Sequence, residues 1–245
     1  MSNELTPEEL AEMQKTNATG VQIENFEWPL VTGAIFYDIC AVLSRILLIG
    51  LTLVVATKCL QLKLARSAEH AFFCTLGLML CLGEALLHTR HRMLAHATFG
   101  LLALNFGCVG VALKSWYKRK HHRPHMRSKH AVFGLAGLLL MLVCFFTGLV
   151  MLLAEIRRQI LIVVALAHRC CGLCGFALLM ASQVYSYNTG FMRRNWHEST
   201  IRMLKFVTMF ASLTTTCYQL STFIADVVDI IPKNLFDNIK ITHKA

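Results

Sequence analysis

His130-Ala-Val-Phe-Gly134-Leu-Ala-Gly137 opens an apolar segment with one histidine and two glycines. The layout recurs three times: His70 with Cys74 and Gly77, His96 with Gly100 and Ala103, and His168 with Gly172 and Gly175. In a helix, positions i, i+4 and i+7 share one face. Each of four successive helices is therefore expected to present an imidazole followed by a groove almost free of side chains. A porphyrin fits such a surface, with iron at the imidazole and the ring along the groove. Successive membrane helices alternate direction. The histidines of the second and fourth segments then lie on one side, and those of the third and fifth on the other. That pairs His70 with His130 and His96 with His168 as axial ligands of two haems. Across a hydrocarbon core of about 30 Å the haems would sit roughly 15–20 Å apart. Six-coordinate iron has no open position for oxygen, so the chemistry indicated is electron transfer. The competing reading is helix packing, for which small residues three or four apart are a common device. Four repeats of the same offsets, each carrying an ionisable side chain rare inside membranes, favour the cofactor.

The 245 residues are 56% hydrophobic, with mean hydropathy +0.54, which excludes a soluble domain. Six apolar stretches are long enough to span a bilayer: about 33–57, 69–88, 94–114, 130–153, 160–187 and 201–228. The expected fold is all-α, a polytopic membrane protein of six transmembrane helices with a central four-helix dihaem core. An acidic tail (1–30) precedes the membrane domain (31–228), and a short tail (229–245) follows it. Residues 1–30 lack a cleavable-signal pattern, so the first helix is expected to direct insertion. Asn17-Ala-Thr19 is a glycosylation sequon, meaningful if the tail faces a lumen.

Most of the ten cysteines fall in apolar segments, where they act as small hydrophobes. Cys171-x-x-Cys174 has redox or zinc spacing, but it lies in an apolar helix and no second pair follows. The net charge of +10 resides largely in loops, and nothing suggests a nucleic-acid partner.

Charges inside the segments are informative. Arg45 lies too deep in the first segment to be casual, and Asp38 shares its face. Arg45 is expected to meet either a haem propionate or a polar residue of a neighbouring helix. Glu84 follows His70 by fourteen residues, about 21 Å along the helix and on nearly the same face. It should therefore approach the His96/His168 pair, with His88 four residues on. Arg169 is expected to be a propionate partner or a membrane-interface residue. His168 follows an apolar run from Ile160 and is expected deeper than its counterparts. The sixth segment, with Thr214, Thr215 and Thr216 and no histidine, reads as peripheral. Residues 114–129 read as a polar loop beside His70 and His130, carrying Lys114, Lys118, Arg119, Lys120, His121, His122, Arg123, His125, Arg127 and Lys129. A cationic rim of that kind concentrates anions.

His125-Met-Arg-Ser-Lys-His130, Gly83-Glu84-Ala85-Leu86-Leu87 and the order of the four histidines resemble the cytochrome b561 family, nearest its small single-domain animal members. The resemblance covers about residues 32–226. It implies two b haems, with electrons taken from cytosolic ascorbate and delivered to monodehydroascorbate radical or ferric chelates on the opposite side. It places ascorbate near the basic residues before the third-segment histidine. Arg90 and Arg92 stand there, Arg92 where the family tends to have lysine, and Arg157 and Arg158 lie on the same side. It points to His125, with Arg127 beside it, for the acceptor, because His125 opens the family's H-x-x-S-x-H pattern.

The side expected to face the cytosol is contested. Lys58, Lys63, Arg66, the 114–129 cations, Arg193, Arg194, Arg202 and Lys205 fall together, and charge counting places them in the cytosol. The resemblance places the other side there. An endomembrane or plasma-membrane location and a homodimer both stay open. A dihaem anchor passing electrons to quinone, and a haem-free receptor or transporter, are the alternatives.

Overall fold

The computed structural model describes residues 28–65, 67–88, 92–153 and 158–242; the acidic tail and the Asn17 sequon lie outside the described residues. The described chain is helical, without strands. The helices are α1 (Trp28–Gln61), α2 (Ser67–Leu87), α3 (Met93–Lys120), α4 (Lys129–Leu153), α5 (Arg158–Ser186), the short α6 (Gly190–Asn195) and α7 (Glu198–Thr242). The chain divides into two compact units, Met1–Asp38 and Ile39–Ala245. The described part of the first is the opening of α1, where the rings of Phe36 and Tyr37 meet edge-on at 6.0 Å. The second holds the rest of α1 and every other helix.

Among the described residues five helices are long and apolar enough to cross a membrane: Ile35–Gln61, Ser67–Leu87, Met93–Lys120, Lys129–Leu153 and Ile160–Ser186. The expected sixth stretch, 201–228, lies inside α7 and is not one of these five. The outward faces fit lipid. Val132, Leu135, Leu139, Val143 and Phe146 line the outside of α4, and Met203, Phe206, Phe210 and Leu213 that of α7. Left in water, such faces would forgo about 25 cal/mol for each Å² of apolar surface; in hydrocarbon they lose nothing.

One boundary differs from expectation. Residues 114–120 belong to α3, and only the stretch from His121 to Ser128 is a turn. Lysine and arginine are good helix formers, and Lys118, Arg119 and Lys120 in the last turn complement the helix dipole. The helix ends shortly before Pro124, which has no N–H to continue it.

The core is two helix hairpins. α4 and α5 share the most extensive contact, α2 and α3 the next, and contacts between the hairpins are sparse. α7 packs on α5, and just past the end of α5 the buried Tyr187 hydroxyl meets Thr208 Oγ1 at 2.9 Å. It also reaches α2, where Gln219 Nε2 donates to the Leu86 carbonyl at 2.6 Å. α1 joins through Ser44 Oγ, which donates to Thr214 Oγ1 of α7 at 2.8 Å.

Candidate functional site

Each of the four histidines reaches across its own hairpin. His70 of α2 donates from Nδ1 to the Gly110 carbonyl of α3 at 2.9 Å, and His96 of α3 to the Ala85 carbonyl of α2 at 2.8 Å. His130 of α4 donates to the Ser182 carbonyl of α5 at 3.0 Å, and His168 of α5 to the Cys144 carbonyl of α4 at 2.9 Å. A carbonyl oxygen only accepts, so each Nδ1 carries the proton and each Nε2 keeps its lone pair. That is the arrangement by which proteins orient a metal-binding imidazole. Ser182 Oγ adds a contact to His130 Nδ1 at 2.9 Å, and Thr147 Oγ1 one to His168 Nδ1 at 3.4 Å.

The hairpins then set these imidazoles against one another. The ring centres of His70 and His130 are 5.8 Å apart and those of His96 and His168 5.9 Å, with interplanar angles of 74° and 72°. A metal–nitrogen bond of about 2 Å on each side, plus about 1 Å from each ring centre to its nitrogen, requires roughly 6 Å. The spacing therefore fits one metal ion between each pair. Among the described residues no three His, Cys, Asp or Glu side chains converge as a bare-metal site. A haem iron needs only two protein ligands, because the porphyrin supplies the equatorial ones.

A cavity of about 620 Å³ opens at the first pair, lined by His70 and His130 and by Cys74 and Gly134 one turn on. That volume is in the range of cofactor pockets. Its mouth carries the cations Lys114, Lys118, Arg123 and Arg194, with His125 beside them, a lining suited to the propionates of a haem or to an anionic substrate. Lys114 Nζ also donates to Ser67 Oγ at 2.5 Å.

The small residues do something other than expected. A Cβ on Gly77 would lie 2.9 Å from the Ala103 carbonyl, and one on Gly137 3.1 Å from that of Gly175. The i+7 positions are thus where each hairpin crosses, backbone against backbone. Three of the i+4 positions meet the residue whose carbonyl accepts the imidazole hydrogen bond: Cys74 against Gly110, Gly134 against Ser182, Gly172 against Cys144. Gly100 alone faces open space. The small residues serve mainly to bring paired helices close enough for each imidazole to reach a carbonyl, and only Cys74 and Gly134 also line the cavity.

The remaining candidates are dispersed. Arg92 is exposed at the start of α3 and Arg158 opens α5, while Arg90 and Arg157 lie outside the described residues. His125 lines the cavity mouth; Arg127 is exposed nearby and is not among the lining residues. Arg45 meets Glu84, with Nε 3.1 Å from Oε2, so of its two expected partners the polar residue of a neighbouring helix is the one present. Arg169 lies over the Phe223 ring at 5.9 Å. The cysteines of the described residues are free thiols, Cys171 and Cys174 included.

Residue patterns had not singled out Gly110, Ala85, Ser182 and Cys144 as acceptors. Nor had they singled out Gly148, where a Cβ would sit 3.0 Å from His168 Cε1. A usable signal exists. In three helices the acceptor follows that helix's own histidine by fourteen residues (96 to 110, 130 to 144, 168 to 182).

No curated protein matched the chain. The family model for eukaryotic cytochrome b561 matches residues 69–193, just over half of the 245. This is narrower than the 32–226 expected, and spans α2 to α5 with all four histidines while leaving α1 and α7 outside. The chain therefore belongs to the eukaryotic cytochrome b561 family, as an integral, multi-pass membrane oxidoreductase that transfers electrons across the bilayer with b-type haem.

Proposed function

We propose that the protein holds two b haems, one between His70 and His130 and one between His96 and His168, and conducts electrons from ascorbate to an anionic acceptor on the opposite face. The observation that carries this reading is the fourfold Nδ1-to-carbonyl bond, which leaves each Nε2 unprotonated in two pairs of rings whose centres are 5.8 and 5.9 Å apart. When bound, the haems supply two irons that each accept and release one electron. The chain's own residues do the rest. The carbonyls hold each tautomer, and the hairpin crossings keep the two levels about 21 Å apart, fourteen residues at 1.5 Å each. The apolar outer faces keep the path inside lipid.

Ascorbate gives up one electron and one proton at the face that carries Arg92 and Arg158, with Arg90 and Arg157 assigned to the same face. At the other face Lys114, Lys118, Arg123 and His125 draw in monodehydroascorbate radical or a ferric chelate, which takes up one electron. The test is the optical spectrum of purified protein before and after ascorbate. Sharp b-type α-bands rising on ascorbate addition support the reading. Bands that respond to dithionite but not to ascorbate would replace ascorbate with another donor, such as a quinol.

A further inference from the structure

The two hairpins repeat one plan, and the plan is broken in one place. In α3, α4 and α5 the acceptor carbonyl lies fourteen residues beyond the histidine, but in α2 it lies fifteen beyond, at Ala85. The same helix carries a π-helical stretch, Thr75–Cys81. A π-turn accommodates one extra residue within an α-helix, which accounts for the longer count. The extra residue also rotates Glu84 about 100° off the position it would hold in an unbroken helix. Its carboxylate then points to α1, where Arg45 Nε stands 3.1 Å from Oε2, and His88 Nε2 approaches the same oxygen at 3.4 Å.

The other three helices offer nothing equivalent. The residues just before their acceptors are Val109, Val143 and Ala181. Glu84 is 9% exposed, and the next residue in the chain holds the His96 ring. A charged group so placed acts through poorly screened surroundings on whatever binds at His96 and His168.

We infer that Arg45 and Glu84, with His88 against the same carboxylate, form a charge node that sets the reduction potential of the haem held by His96 and His168, and makes it differ from that of the His70/His130 haem. Glu84 is a positioning residue in this role, since it acts on the site through its field rather than by touching the iron. The inference rests on the ligand pairs proposed above. At an effective dielectric near 20, removing a unit negative charge at a separation of about 10 Å favours the reduced form of a one-electron centre roughly tenfold. For a one-electron couple that is about 59 mV.

The experiment is an equilibrium redox titration of the full-length protein in lipid nanodiscs, followed at the α-bands at mildly alkaline pH. The variants are Glu84→Gln, Arg45→Gln and Glu84→Asp, and His168→Ala identifies which component belongs to that pair. Glu84→Gln should raise that component about tenfold in its reduction equilibrium and leave the other in place. Arg45→Gln should lower the same component, and Glu84→Asp should stay near wild type. If leaving Arg45 unpaired prevents Glu84→Gln from folding, Arg45→Gln carries the test alone. A folded variant with both haems and unmoved potentials, or with both potentials shifted equally, overturns the inference. Failure of the ligand reading looks different, because His168→Ala would then leave the haem count unchanged.

Discussion

At the scale of single residues, the site depends on four imidazoles whose Nδ1 atoms are occupied. Gly148 shows how tight the tolerance is. A Cβ there would stand 3.0 Å from His168 Cε1 and 3.2 Å from its Nδ1, so the ring must turn or retreat. We expect Gly148→Ala to weaken haem retention at His96/His168 about tenfold or more, the scale of lost ligand support, with helix content unchanged. Haem stoichiometry beside circular dichroism measures both. The histidines were legible in the sequence because an ionisable side chain in an apolar run stands out. Their acceptors were not, because a backbone carbonyl carries no residue identity. Gly110, Ala85, Ser182 and Cys144 have in common only their distance from a histidine.

At the scale of elements, the unit is a hairpin locked at both ends by histidine–carbonyl bonds and crossed in the middle at small residues. In the α4–α5 hairpin, Gly137 and Gly175 meet backbone to backbone. Gly137→Val should therefore destabilise by about 1–3 kcal/mol, as overpacking does. It should also loosen both pairs at once, because α4 carries one member of the first pair and α5 one member of the second. Thermal unfolding and haem content together check this. The i+4, i+7 pattern was visible in the sequence, but two roles share it, and only the contact partner tells a cofactor groove from a crossing. The π-turn of α2 was not visible. A one-residue slip leaves the apolar run intact, so neither the slip nor the meeting of Glu84 with Arg45 can be read from the residue pattern. The end of α3 was misjudged for a related reason, since a charged helix end and a polar loop have the same composition.

At the scale of the whole molecule, large apolar side chains lie exposed along the described helices. That much follows from length and hydropathy, and five of the spans are plain in the sequence. The cationic mouth of the His70/His130 cavity should govern how fast an anionic acceptor is reduced. Lys118→Gln with Arg123→Gln should slow that step several-fold at low salt and far less at high salt, where the Debye length shrinks to a few ångströms; stopped-flow rates across ionic strength measure it. More basic is the proposed holding of one haem by each of the two histidine pairs. The most direct measurement is the haem-to-polypeptide ratio of purified wild-type protein and of His70→Ala, His96→Ala, His130→Ala and His168→Ala. Two haems are expected in the wild type and one in every variant. The spectrum left behind should be the same for His70→Ala as for His130→Ala, and the same for His96→Ala as for His168→Ala. Variants that lose haem in any other grouping, or that keep both haems, would contradict it.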